Sequence, residues 1–275
     1  MTESVVPVEG GTQASQNARW LAAAVAGAAV GLLGGMIGLG GAEFRLPLLI
    51  GVFGFVALQA VIVNKALSLL VVATAIPARL VAVPLSDLTP YWSIVVNLLA
   101  GSLIGAYLGA TWATRMATRT LYRVLSVLLV LIAVALVGTH VGQVEPAQLS
   151  APVQAIAGVI AGAAIGVVAA LMGVAGGELL IPTIVLLYGV NIKIAGSLSL
   201  AVSLPTMLVA FARYSRDKSF TVLAANKTFV LAMAAGSVLG TIAGGALLGV
   251  VPSSVLVPLL ALLLLVSARK VWKHG

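Results

Sequence analysis

The stretch GLGGAEFRLP at residues 38–47 returns, with substitutions, as GVAGGELLIP at residues 173–182. The glutamates of the two stretches are 135 residues apart, since 178 minus 43 is 135. The same offset holds without a gap over most of the chain, and it pairs residues far from the motif. Among the pairs are Gly27 with Gly162, Ser68 with Ser203, Gly101 with Gly236 and Ser102 with Ser237. The chain is therefore predicted to consist of two copies of one unit.

This repeat predicts the domain organisation. We expect a first membrane repeat at 19–139, an extracytoplasmic link at 140–152 that contains Glu145 but no Lys or Arg, and a second repeat at 153–275. The first 18 residues are polar and precede an apolar run that is longer than that of a signal peptide. We interpret residues 1–18 as a disordered cytoplasmic tail.

The composition indicates a membrane protein. Of the 275 residues, 61% are hydrophobic and only 8% are charged, whereas a soluble domain has about 25% charged residues. The mean hydropathy is +1.18. Apolar runs near the roughly 20 residues that cross a bilayer as a helix lie at 20–37, 91–113, 121–139, 153–172, 226–248 and 256–268. Their residues do not alternate as barrel strands do, so we predict an all-α polytopic membrane protein.

Several other classes of protein are disfavoured. The formal net charge is +8, but the basic residues form short clusters between apolar runs, as in membrane loops, so we expect no nucleic-acid partner. Cysteine is absent, and His140 and His274 lie outside the apolar runs, so no metal site or other cofactor is expected. The chain has no HExxH or GxSxG motif, and we do not expect an enzyme.

The basic residues predict opposite orientations for the two copies. Short cytoplasmic loops are enriched in Lys and Arg. The 114–123 loop contains three arginines, whereas its counterpart at 249–258 has no charge. The 213–227 loop contains four basic residues, whereas its counterpart at 78–92 contains only Arg79. We therefore predict two inverted repeats in the cell membrane, with both termini cytoplasmic.

Inversion requires an odd number of crossings in each copy. We expect about five segments per copy, and those of the first lie near 20–37, 46–63, 66–83, 91–113 and 121–139. Asn64-Lys65 separates 46–63 from 66–83, and Asn191-Ile192-Lys193 separates 181–190 from 196–212. These short segments are interpreted as Gly-rich broken or re-entrant helices, a feature of many secondary transporters.

The glycine-rich stretches predict a binding site. Glycine loosens the backbone, and a following proline suits the first turn of a new helix. A helix N-terminus attracts anions through its free N–H groups, so two such breaks facing each other would form an anion site. The predicted substrate-binding residues at the breaks are Gly38, Gly40, Gly41 and Ala42 in the first copy and Gly173, Ala175, Gly176 and Gly177 in the second. Close helix packing is the alternative, and it is favoured for the glycines spaced by four at 101–109 and 236–244.

Ionisable residues in apolar segments are further candidates. Glu43 and Glu178 could take up and release protons during transport, or they could accept hydrogen bonds from free N–H groups at the breaks. Arg45 is a plausible partner of Glu43. Lys65 could neutralise a bound anion or could extend to the membrane surface. Polar groups for the substrate could also come from Asn64, Ser68, Ser197, Ser199 and Ser203, although a serine in a membrane helix usually bonds its own backbone.

At these residues the sequence resembles the sulfite exporter TauE/SafE family of membrane permeases. GLGGAEFRLPLL and MGVAGGELLIPTIV are close to the Gly-rich, Pro-terminated motif in each half of that family, and AGSLSL at 195–200 resembles the stretch that follows. The resemblance covers about residues 20 to 270. The first copy has AVIVNK at 60–65 in place of AGSLSL, so the two halves need not contribute equally to the site.

The resemblance implies a secondary transporter for a small sulfur-containing or organic anion, such as sulfite, a sulfonate or sulfoacetate, coupled to an ion gradient. We expect protons as the coupling ion, with Glu43 and Glu178 as the exchanging groups, and alternating access between the inverted halves. A channel-like pore with the same breaks as its filter is the alternative. The expected partners are the anion, the lipid bilayer and a second copy of the chain in a homo-oligomer.

Overall fold

The computed structural model describes residues 13–37, 41–141, 149–247 and 253–274. Over these residues the chain forms helices joined by short turns, and the all-α prediction is confirmed. The helices are α1 (Gln13–Ile37), α2 (Ala42–Gly51), α3 (Ala57–Ala82), α4 (Leu85–Leu88), α5 (Trp92–Arg115), α6 (Thr118–Val141), α7 (Ala151–Met172), α8 (Gly177–Tyr188), α9 (Ile192–Tyr214), α10 (Val222–Ala225), α11 (Lys227–Ala246) and α12 (Ser253–Trp272).

Seven segments of the described chain are long and apolar enough to cross a membrane, which confirms a multi-pass membrane protein. They are Gln16–Met36, Ala57–Pro77, Leu85–Arg115, Thr118–Gly138, Ala151–Met172, Ile192–Tyr214 and Lys227–Ala246. Helices α2 and α8 have only 10 and 12 residues. At a rise of about 1.5 Å per residue, neither can cross a hydrocarbon layer of about 30 Å alone.

The order of helices repeats along the chain. Helices α2, α3, α5 and α6 begin at residues 42, 57, 92 and 118, and α8, α9, α11 and α12 begin at residues 177, 192, 227 and 253. Each start in the second set follows its counterpart by 135 residues, the offset found in the sequence. The sequence repeat is thus also a repeat of secondary structure.

The predicted break at Asn64-Lys65 is wrong. Both residues lie within α3, and the chain turns earlier, between Gly51 and Ala57, where Gly54 has a φ of 74°. A polar pair inside an apolar run suggests a loop, but here the two side chains are buried and bond to backbone groups of other segments. In the second half the separation around Asn191 is correct, since α8 ends at Tyr188 and α9 begins at Ile192.

The boundaries of the terminal tail and of the link also differ in part from those expected. Helix α1 begins at Gln13, inside the predicted tail of residues 1–18, whereas residues 1–12 lie outside the described ranges. Helix α6 continues to Val141 and α7 begins at Ala151, so both enter the predicted link at 140–152. Residues 142–148 of that link are outside the described ranges as well.

The most extensive helix contacts join one half of the chain to the other. Helix α1 packs along α11 of the other half, and α7 packs along α5, while α6 contacts α12. A Cβ added to any of eleven glycines in these two tight pairs would collide with the opposing backbone, which confirms the packing interpretation of the spaced glycines. The glycines are Gly27, Gly31 and Gly35 of α1, Gly236, Gly240 and Gly244 of α11, Gly101, Gly105 and Gly109 of α5, and Gly162 and Gly166 of α7.

Arg213 of the second half and Arg123 of the first lie near the same end of the helix bundle. Arg213, at the end of α9, donates from Nε to the hydroxyl of Thr111 at 2.9 Å and from Nη2 to that of Thr114 at 3.3 Å, near the end of α5. The guanidinium of Arg123, near the start of α6, lies 5.8 Å from the ring centre of Trp272 at the end of α12. The arginines therefore anchor neighbouring helix ends.

Candidate functional site

Glycine conformation shapes both helix breaks. Helix α7 ends at Met172, and Gly173 takes a φ of 70° while its N–H bonds to the carbonyl of Ala170. Gly176, with a φ of 84°, then precedes α8, and Gly41, with a φ of 70°, precedes α2. Residues with a side chain rarely adopt this left-handed region, so glycine permits these abrupt turns.

The two breaks have the same local packing. Gly41 lies against Val30 and Gly34 of α1, and Gly176 lies against Ile165 and Ala169 of α7. Val30 and Ile165 are repeat counterparts, as are Gly34 and Ala169. In both halves the chain therefore returns beside the last turns of the helix that it has just left.

Asn64 of α3 joins the two breaks. Its Nδ2 donates to the carbonyl oxygen of Ala42 and to that of Met172, each at 3.0 Å. One carbonyl belongs to the start of α2 and the other to the end of α7, and Asn64 itself is completely buried. The breaks of the two halves thus meet at one side chain.

Lys65, the next residue, holds the second break. Its Nζ donates to the carbonyl oxygens of Ala169 at 2.8 Å and Val174 at 2.6 Å, and the residue is fully buried. A cation is favourable at the C-terminal carbonyls of a helix. Ser68, one turn further along α3, donates to the carbonyl of Gly173 at 3.2 Å. The interpretation of Lys65 as a residue that reaches the membrane surface is wrong.

Arg45 connects three helices. Its Nε donates to Oδ1 of Asn64 at 3.0 Å, Nη1 to Oγ of Ser237 at 3.2 Å, and Nη2 to Oγ of Ser68 at 3.3 Å. Ser237 belongs to α11 and was not among the predicted site residues. Its position between the packing glycines 236 and 240 indicates helix contact. The one other signal in the sequence is that Ser237 recurs, as Ser102, at the offset of the repeat.

Glu43 and Glu178 lie in the first turns of α2 and α8, and their carboxyl groups are neighbours. Arg45 lies near enough to Glu43, and Lys65 near enough to Glu178, for their opposite charges to attract. Yet Oε2 of Glu43 and both carboxyl oxygens of Glu178 are buried without a hydrogen-bond partner. The junction of the breaks therefore contains two acidic and two basic side chains in a space shielded from solvent.

The structure brings together many of the predicted site residues but not all. Gly41, Ala42, Glu43, Asn64, Lys65, Ser68, Gly173 and Glu178 converge at this junction, and Ala175, Gly176 and Gly177 complete the second break. Gly38 and Gly40 lie outside the described residues.

The serines of α9 make no hydrogen bond to the other predicted site residues in the described part of the chain. The hydroxyl of Ser199 donates to the carbonyl of Gly196 in its own helix at 2.8 Å, the alternative that the sequence left open. The hydroxyl of Ser197 is buried without a hydrogen-bond partner, and Ser203 is buried as well.

Interlocked apolar helices around a buried charged junction define a multi-pass membrane protein. The model of the sulfite exporter TauE/SafE family matches residues 23–271, and the chain belongs to this family. The resemblance drawn from the two motifs is thereby confirmed, and the protein is a membrane transporter of the sulfite exporter type. Comparison with curated proteins gave no match, and neither did comparison with solved structures.

Proposed function

We propose that the protein moves a small sulfur-containing or organic anion across the cytoplasmic membrane by alternating access, with protons as the coupling ion. The observation that supports this function best is the meeting of Glu43 and Glu178 at the junction of the two helix breaks. The proposed binding site for the anion is this junction, where many of the residues predicted from the sequence meet. Sulfite, sulfonates and sulfoacetate are the proposed substrates, in keeping with the family.

The charges of the junction suggest how protons couple to the anion. With all four groups ionised, Glu43 and Glu178 balance Arg45 and Lys65, and no net charge is left to attract a substrate. Each proton taken up by a carboxylate leaves one positive charge uncompensated in a medium of low polarity, where an anion is strongly attracted. We infer that protonated glutamates admit the anion and that their deprotonation expels it.

The interlocked repeat supports an inverted arrangement. Helix starts recur at one offset, and Arg213 of the second half lies near the same end of the bundle as Arg123 of the first. Since short basic loops face the cytoplasm, we infer that this end is cytoplasmic and that both termini lie there. Re-entrant α2 and α8 would then enter the membrane from opposite sides.

A difference between the repeated helices favours a carrier over a channel. Helix α2 is buried along nearly its whole length, whereas in its counterpart α8 only Leu180 and Ile184 are buried. If two inverted halves exchange roles during transport, each state must be asymmetric in this way. A pore that serves as a filter requires no such difference.

Transport into proteoliposomes tests the function. Radiolabelled sulfite, methanesulfonate, sulfoacetate and acetate would each be offered with and without a pH gradient. The proposal expects uptake that saturates, shows counterflow and responds to the gradient. Unitary conductance steps in a planar bilayer would support the channel instead, and failure to move any of these anions would overturn the proposal.

A further inference from the structure

We propose that Arg45 is the residue that recognises the anion and that its guanidinium selects oxyanions by a two-pronged hydrogen bond. The inference rests on the proposed anion transport and adds which side chain identifies the substrate. It also places this recognition in the first half alone, because the repeat counterpart of Arg45 is Leu180.

The hydrogen bonds of Arg45 do not use all of its donors. A guanidinium has five N–H groups and accepts nothing. Three of these groups bond to Asn64, Ser68 and Ser237, so two have no acceptor among the described residues. All three acceptors are neutral, although Arg45 is only 1% exposed. A buried charge is stable when an opposite charge pairs with it, and none of the three bonds reaches a carboxylate.

The surroundings hold the guanidinium in a fixed position. Its acceptors come from α3 and α11, and the arginine itself comes from α2, so three helices orient the planar fork. A fork that is oriented before the ligand arrives loses less entropy on binding. Ser237, which accepts from Nη1, still has a proton to donate.

Lys65 is the competing candidate, and its contacts assign it another task. Its ammonium group has three N–H donors, and two of them already bond to Ala169 and Val174. Lys65 therefore holds the backbone of the second break. Among the described residues, Arg45 bonds only to side chains of other helices and holds no backbone carbonyl.

This arrangement predicts the chemical class of the ligand. Two N–H groups of a planar fork match two oxygens of one anion, as in a carboxylate, a sulfonate or sulfite. A halide ion offers a single centre and cannot use both bonds with good geometry. Selection of oxyanions over halides of the same charge is therefore the signature of this site.

Binding to purified full-length protein tests the assignment. Isothermal titration with methanesulfonate and with bromide would be performed on the wild type, Arg45→Lys, Arg45→Leu and Arg213→Lys. The last variant is the matched control, because Arg213 also bonds to two hydroxyls but lies at the end of the bundle. Melting temperature and size-exclusion profile would show which variants are folded.

We expect Arg45→Lys to weaken methanesulfonate binding by about ten- to a hundred-fold and to leave bromide binding nearly unchanged, since the charge is kept. Arg213→Lys should alter neither. If Arg45→Lys retains the wild-type ratio of the two affinities, the assignment of Arg45 is overturned while anion transport stands. If the wild type binds neither anion and transports none, the proposed function itself fails. Should Arg45→Leu not fold, the ratio in Arg45→Lys decides.

Discussion

The ammonium group of Lys65, on α3 of the first half, lies 2.6 Å from the carbonyl oxygen of Val174 in the break of the second half. A second bond, to Ala169, closes the end of α7. Lys65 thus contacts the other half through a side chain that the repeat does not duplicate, since its counterpart is Leu200. The second break depends on a residue of the first half for its shape.

Replacement of Lys65 by Met should destabilise the protein, because the carbonyls of Ala169 and Val174 lose a charged donor. We expect the free energy of unfolding to fall by about 1.5–3 kcal/mol, measured by thermal melting and by denaturant titration in detergent. Lys193→Met is the control, because Lys193 is exposed in the first turn of α9. Equal losses in the two variants would contradict the role given to Lys65.

Replacement of either Glu43 or Glu178 by Gln should uncouple transport from the pH gradient. Gln keeps the size of the side chain but cannot exchange a proton, so gradient-driven uptake should fall about ten-fold or more, while counterflow of the anion persists. Asp87→Asn, at an exposed position of α4, should behave as the wild type. Wild-type rates and an unchanged pH response in both Gln variants would exclude the proton-coupling role.

Paired cysteine substitutions can test the asymmetry of α2 and α8. Since the chain has no native cysteine, Leu46→Cys and Ile181→Cys each give a single thiol at counterpart positions. Leu46 is fully buried and Ile181 is partly exposed, so a membrane-impermeant thiosulfonate should label only the second. Alternating access further predicts that saturating substrate changes the two labelling rates in opposite directions. Equal rates that substrate leaves unchanged would favour a static pore.

Glycines at the interlocked helix pairs should tolerate no side chain. Gly105→Ala and Gly240→Ala each place a methyl group against the backbone of Ala163 or Ala28, and such overpacking costs about 1–3 kcal/mol. Thermal melting would measure the loss. Gly245→Ala is the control, because nothing lies within 4 Å of its added Cβ, and it should be neutral or slightly stabilising. A stable Gly240→Ala protein would contradict the close approach of α1 and α11.

Much of the site could be predicted from the repeat, and the exceptions are residues whose partners are distant in the sequence. Glu43 and Glu178 stood out because two ionisable residues recur at one offset beside glycines. Ser237 could not be predicted as a site residue, because the sequence around a serine among packing glycines is the same whether or not an arginine bonds to it. The sequence predicts a helix break at Asn64-Lys65, since it does not show that distant carbonyls will satisfy these two side chains.

By itself the sequence determined the membrane class, the duplication and the position of both glycine breaks, because these follow from apolar run length, from a fixed offset and from the special backbone freedom of glycine. Only the tertiary structure decided that the two breaks meet at Asn64 and that Lys65 and Arg45 are held between helices of both halves. A buried polar group is tolerated where a partner exists, and in this chain those partners are more than 100 residues away in several cases.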